Sequence, residues 1–147
     1  MRIAVGSDHA GYEDPPPYYK PEIVEYLMSL GIDVVDCGTD SAASVDYPDF
    51  ARKVCASVLC GAAECGILIC GTGMGIGMAA NRYPGIRAAV CATPDMVFLA
   101  RDHNDANVLC LGKRVLTLDQ CKAFVDLWLK TPFGGGERHQ RRIAKLG

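Results

Sequence analysis

Five short runs of branched, apolar residues punctuate the chain, at 2–5, 32–37, 67–70, 87–91 and 108–111. Each has the length and composition of a strand buried in a sheet. Between them, apolar positions return every three or four residues, the period of a helix with one buried face. Residues 22–30, 49–60, 93–101 and 118–129 read this way, and a further helix-forming run starts at Met78. Within 49–60 the apolar stripe is Phe50, Val54, Val58 and Leu59; Pro94 opens the helix at 93–101, and the one at 118–129 ends before Pro132. Strands alternating with helices predict an α/β chain on a parallel, doubly wound sheet of five strands. Gly31 supplies the stop for the first helix. The stretch Asp14-Pro15-Pro16-Pro17-Tyr18-Tyr19-Lys20-Pro21 breaks the pattern. Its prolines fix φ and lack a donor, so it is expected to be an exposed, semi-rigid excursion, with Pro21 in the first turn of the helix at 22–30.

The third strand runs into the most unusual local sequence, Ile69-Cys70-Gly71-Thr72-Gly73-Met74-Gly75-Ile76-Gly77-Met78. Alternate glycines let the backbone turn sharply and approach a ligand, and a helix N-terminus beyond them presents unpaired N–H groups. Together they predict a cradle for a phosphate or for an oxyanion that develops during reaction. Cys70 stands at its lip, where the same field favours a thiolate. The competing reading is packing alone, with Cys70 an inert buried thiol. Gly75 to Ala80 also fits G-x-G-x-x-A with Asp95 twenty residues on, but the tight turn begins earlier, at Gly71, and Asp95 falls beyond the next strand, so the dinucleotide fingerprint is out of register.

In a doubly wound sheet, ligands bind beyond the C-terminal strand ends at the switch point, here between the first and third strands. The first strand closes on Gly6-Ser7-Asp8-His9-Ala10-Gly11. Ser7 or Asp8 could cap the structure that follows, or Asp8 and His9 could meet a ligand. His103-Asn104-Asp105 follows a helix and precedes the fifth strand, which puts it at the opposite edge. It can therefore serve such a site most simply in a neighbouring subunit, or else be a histidine at a helix C-terminus. The tail Gly134-Gly135-Gly136-Glu137-Arg138-His139-Gln140-Arg141-Arg142 holds the dense basic cluster. Arg138 and Arg142, four apart on a helix, could fork around a phosphate or form a solvated helix end.

Composition narrows the class. The chain has 147 residues, half of them apolar, and a formal charge of −2; its mean hydropathy is +0.12. No apolar run approaches membrane-spanning length, and residues 1–6 enter a strand pattern at once, leaving no room for a signal peptide. The charge argues against general nucleic-acid affinity. A single domain over 1–147 in the cytoplasm is expected. The eight cysteines sit in apolar runs without a C-x-x-C pair, and the spacing of 55, 60, 65 and 70 matches no zinc ligand set, so most are expected to be reduced packing residues.

With these pieces assembled, the chain resembles the ribose-5-phosphate isomerase B family, which includes galactose-6-phosphate and allose-6-phosphate isomerases. The matching motifs are Gly6-Ser7-Asp8-His9-Ala10-Gly11, Val45-Asp46-Tyr47-Pro48-Asp49-Phe50-Ala51, Ile69 to Ile76, Ala79-Ala80-Asn81-Arg82, Gly85-Ile86-Arg87-Ala88, Arg101 to Leu109 and Glu137 to Arg142. The resemblance implies a Rossmann-like three-layer α/β/α sandwich, a homodimer (in some members a tetramer) with sites shared between subunits, and neither metal nor cofactor. It implies isomerisation of D-ribose 5-phosphate and D-ribulose 5-phosphate through an enediolate, or of a six-carbon relative. Cys70 would be the base and His103 the ring-opening residue, with Thr72 assisting. Asp8, His9, Tyr47 and Asn104 would contact substrate, Arg114, Arg138 and Arg142 would grip its phosphate, and the loop Gly71, Gly73, Met74 and Gly75 would hold the enediolate oxygen. One branch of the family has a glutamate base where this chain has Ile76, which favours Cys70 here. The proline-rich segment after Gly11 departs from the family's usual direct entry into the first helix. A non-catalytic nucleotide-binding module is the reading from another class; it leaves the histidines and arginines unexplained.

Overall fold

Buried strands satisfy their backbone groups only by pairing, and here five do so in one all-parallel sheet. In the computed structural model, which describes residues 1–147, these are β1 (Arg2–Ser7), β2 (Asp33–Asp36), β3 (Cys65–Cys70), β4 (Ala88–Val90) and β5 (Val108–Gly112), in the order β2-β1-β3-β5-β4. β3 is central: Ile3 to Ser7 pair with Cys65 to Ile69, and Gly66 to Cys70 pair with Val108 to Gly112. The edges are short. β2 is a half-exposed strand bounded by Asp33 and Asp36, and β4 has three residues.

Helices cover both faces, as a sheet that is apolar on both sides requires. On one face α1 (Tyr19–Ser29), α4 (Pro94–Asp102) and α5 (Leu118–Lys130) bring Ile23, Leu27, Val97, Phe124 and Trp128 against Ile3, Val5, Ile67, Ile69, Leu109 and Leu111. On the other, α2 (Tyr47–Leu59) and α3 (Met74–Ala80) place Ala51, Val54, Ile76 and Ala80 against Ala4, Leu68, Val108 and Cys110. Each fully buried Ile or Leu contributes about 1.5–3 kcal/mol by leaving water. A last helix, α6 (Glu137–Ile143), lies outside the core and buries no residue. This is the expected three-layer α/β sandwich. The chain leaves β1 toward β2 and leaves β3 toward β4, so the switch-point crevice opens between β1 and β3. No helix is long and apolar enough to cross a membrane.

Three helices begin earlier than their apolar pattern suggests. α1 starts at Tyr19 and not at 22, so Lys20 belongs to the helix and not to an exposed excursion. Its side chain is fully buried, and its ammonium bonds to Asp36 and to the carbonyl of Thr39. α2 starts at Tyr47, with Pro48 in its first turn, and α3 starts at Met74 and not at 78. Gly75 and Gly77 are thus helical, and the loop between strand and helix is only Gly71-Thr72-Gly73. Strands 32–37 and 87–91 prove shorter, at Asp33–Asp36 and Ala88–Val90, although the Cys37 N–H still donates to the Val5 carbonyl and the Cys91 N–H to that of Cys110.

All eight cysteines are free. Burial pushes the thiols of Cys55 and Cys91 up to about 11 and that of Cys121 to about 12, and it raises Cys37, Cys65 and Cys110 as well. These are protonated packing residues at neutral pH.

Candidate functional site

β3 delivers Cys70 to the C-terminal edge of the sheet, where only 4% of it is exposed. The chain must then reverse within three residues, and it does so by putting Gly73 in the left-handed region (φ 80°), where a Cβ would also lie 3.1 Å from the backbone of Leu111. That geometry aims the Gly73 N–H at the Cys70 sulfur, 3.2 Å away. The Thr72 hydroxyl accepts from the Met74 N–H at 3.3 Å. The N–H groups of Gly71, Thr72 and Gly75 find no acceptor within the chain. The cradle therefore exists, but it is tighter than the glycine spacing suggests.

The end of β1 lies beside it. Asp8 is buried, its N–H donates to the carbonyl of Ile69, and its carboxylate accepts from Ala10 at 2.9 Å, capping a single 3-10 turn at His9–Tyr12. Of the two readings of Asp8, capping is thus realised, with one carboxylate oxygen left over. His9 Nδ1 accepts from the Val45 N–H at 3.2 Å, which assigns the proton of the neutral ring to Nε2. Asp8, His9, Val45 and Tyr47 line a groove of about 550 Å³. The Tyr47 ring leans on Gly75 so closely that a Cβ there would lie 2.8 Å from it. Beyond β5, the backbone N–H groups of Lys113 and Arg114 bond to the carbonyls of Cys70 and Gly71, and the Arg114 guanidinium lies over Gly71. One edge of the sheet thus gathers Asp8, His9, Tyr47, Cys70, Gly71, Thr72, Gly73, Met74, Gly75 and Arg114.

His103, Asn104, Arg138 and Arg142 are elsewhere. His103 ends α4, and the chain then enters β5 from its N-terminal end. Because Gly66 is level with Val108 and Cys70 with Gly112, about 13 Å of strand separates the two edges. α6 packs against this second group, with the His103 and His139 rings stacked at 4.2 Å and 15°. Asp102 lies 3.4 Å from His103 Nε2. Partial burial, then the neighbouring His103, Arg138 and Arg142, lower the His139 pKa from the usual imidazole value. Arg138 and Arg142 are exposed on α6, and Asn104, next to His103 in the chain, is exposed as well.

The loop carrying His103 and Asn104 is held by a clamp that sequence reading missed. Asp105 takes a positive φ of 44°. Its carboxylate accepts from Arg101 at 3.0 Å and from Arg87 at 3.3 Å. Arg87 also holds the carbonyls of Asn104 and Asp105, and Arg101 that of Ala106. Arg101-x-x-x-Asp105 at helical spacing was the available signal. Lys113 was missed too, although it shares with Arg114 the C-terminal end of the fifth strand.

The chain is similar to known proteins over nearly its whole length. The family model described as Ribose/Galactose Isomerase matches residues 3–146. Ribose-5-phosphate isomerase B of Escherichia coli is 47% identical over 145 residues, covering 99% of this chain and 93% of that protein. A solved ribose-5-phosphate isomerase B from Clostridium thermocellum superposes with a TM-score of 0.94 at 51% identity, covering 100% of this chain and 95% of the other. That from Thermotoga maritima gives 0.92 at 51%, covering 99% and 96%.

Proposed function

From the premise that the chain belongs to the ribose/galactose isomerase family of sugar phosphate isomerases, we propose that it interconverts D-ribose 5-phosphate and D-ribulose 5-phosphate in sites shared by two copies of the chain. The observation that carries this reading is the Gly73 N–H aimed at the Cys70 sulfur beside N–H groups that no acceptor of the chain occupies.

The reading gives each group a step. The cyclic sugar is opened by His103 of a second copy, which accepts the proton of the anomeric hydroxyl and returns one to the ring oxygen. The Cys70 thiolate then takes the proton from C2 of the open aldose. The electron pair moves into a C1–C2 double bond, and the carbonyl oxygen on C1 becomes the enediolate oxygen. Carbon acids are weak, so that oxygen needs preorganised donors, and the N–H groups of Gly71, Thr72 and Gly75 supply them. The proton of the C2 hydroxyl passes to the oxyanion on C1, and the thiol returns its own proton to C1 as the carbonyl forms at C2, leaving the enzyme unchanged. Asp8, His9 and Tyr47, with Asn104 of the second copy, hold the sugar hydroxyls. Arg114, with Arg138 and Arg142 of the second copy, holds the phosphate and so orients C1 and C2 against the sulfur.

Purified protein offered ribose 5-phosphate, allose 6-phosphate and galactose 6-phosphate tests the reading. Ketose should form fastest from ribose 5-phosphate. Faster turnover of a six-carbon substrate would move the assignment to that sugar, and no isomerisation of any of the three would overturn it.

A further inference from the structure

The proline-rich stretch after Gly11 is anchored at its foot by Glu13. Its carboxylate grips Arg114 with both oxygens, Oε1 accepting from Nη2 at 2.7 Å and Oε2 from Nε at 3.3 Å. Lys113 Nζ adds a third cationic contact to Oε2 at 3.4 Å. These groups meet across a hundred residues of chain, and both ends are fixed. On one side the Lys113 and Arg114 backbones are tied to Cys70 and Gly71. On the other, the Glu13 N–H donates to Ala10, and the excursion beyond it is closed by Tyr18 OH donating to Asp14 at 2.7 Å, with the Tyr12 and Tyr18 rings 6.1 Å apart. A carboxylate bridging the Nε–Nη2 edge of a guanidinium uses the same planar fork that a phosphate would use.

We propose that Glu13 is an internal competitor for the anion site, its carboxylate occupying Arg114 and Lys113 until the phosphate of the substrate displaces it. The proposal rests on the reading of Arg114 as a phosphate-binding residue. Glu13 is two-thirds buried and Arg114 more than half exposed, so the guanidinium stays open to an incoming anion from solvent while the carboxylate holds it. A dianionic phosphate brings more charge and more acceptor oxygens than one carboxylate, so it can win the exchange. Glu13 then sets how tightly the site holds any anion, and Lys113 becomes a second phosphate contact once it is released.

Two measurements on the full chain separate this from the isomerase assignment: the dissociation constant of inorganic phosphate by calorimetry, and the KM for ribose 5-phosphate. Glu13→Gln keeps the shape but removes the charge. It should tighten phosphate binding and lower KM, each by about two- to fivefold, the range set by an ion pair of this exposure. In an Arg114→Ala background, where only Lys113 is left to release, the same substitution should change phosphate affinity by less than about half as much. Unchanged phosphate affinity in Glu13→Gln would overturn the proposal. So would weaker binding, which would make Glu13 a residue that orients Arg114. A wild-type protein that binds phosphate without isomerising ribose 5-phosphate would sink the functional assignment and leave the competition standing, because the phosphate measurement does not depend on turnover.

Discussion

Cys70 closes β3 at the C-terminal edge of the sheet, while His103 ends α4 at the opposite edge, before the strand that pairs with β3. The sheet lies between them within one chain, so a site that uses both needs a second copy. Mixing Cys70→Ala with His103→Ala protein, each of low activity alone, should restore turnover. Random association makes half the dimers mixed, and each mixed dimer has one intact site in two, so recovery should approach about a quarter of wild type. No recovery despite confirmed subunit exchange would refute the shared site.

Cys70→Ala alone should lower kcat by about 10²- to 10⁴-fold, the usual contribution of a positioned base, while substrate still binds. Cys65→Ala is the control. That thiol packs beneath Trp128 on the other face of the sheet, is raised by burial, and should leave turnover within a few-fold of wild type. Steady-state kinetics on the two proteins decides between a catalytic and an inert Cys70.

Arg138→Ala and Arg142→Ala should act mainly through KM, each removing a charge-assisted contact of about 1.5–3 kcal/mol. Because both residues are exposed and outside the core, their unfolding midpoints should stay close to wild type. Unaltered KM in both variants would remove α6 from the phosphate site.

Lys20 gives a stability prediction. Its stem is fully buried and its ammonium bonds to Asp36 and Thr39. Lys20→Ala removes both the packing and the donor and should cost about 2–4 kcal/mol. Lys20→Met refills the space and should cost less. Urea unfolding of both compares the two terms; equal costs would assign the whole effect to the ammonium.

The Glu13 ion pair has a pH signature. Hydrogen bonding from Arg114 lowers the Glu13 carboxyl below its usual range. A lowered folded-state value stabilises the fold above the ordinary carboxylate pKa, and that contribution is lost as pH falls through the lowered one. The unfolding midpoint of wild type should therefore exceed that of Glu13→Gln near neutrality, and the gap should close on acidification. A gap independent of pH would mean that the carboxylate's charge is not what matters for stability.

Much of this was legible in the residues. The alternation of apolar runs with helical periodicity marks all five strands and the helices between them, because burial on a two-sided sheet leaves that signature directly. Helix starts were harder to read. Tyr19, Tyr47 and Met74 begin helices whose first turns carry Pro21, Pro48 and Gly75, and a first-turn N–H needs no intrahelical partner, so residues that break helices elsewhere are tolerated there. The edge of the sheet carrying Asp8 and Cys70 could be inferred because strand ends collect chemistry in a known place. Glu13 against Arg114, and Arg87 against Asp105, could not. Such contacts depend on where distant side chains meet, and local periodicity is silent about that.

The brevity of β2 and β4 also limits how copies of this chain can join. An edge strand invites strand addition when it is long, flat and apolar. Here one border is flanked by aspartates, one salt-bridged to Arg2 and the other to Lys20, and the opposite border offers three residues. Neither can template a neighbouring strand over any useful length. Two copies would therefore meet through helices and loops and not as a continuous ten-stranded sheet, and the same borders protect the chain from edge-to-edge aggregation at high concentration.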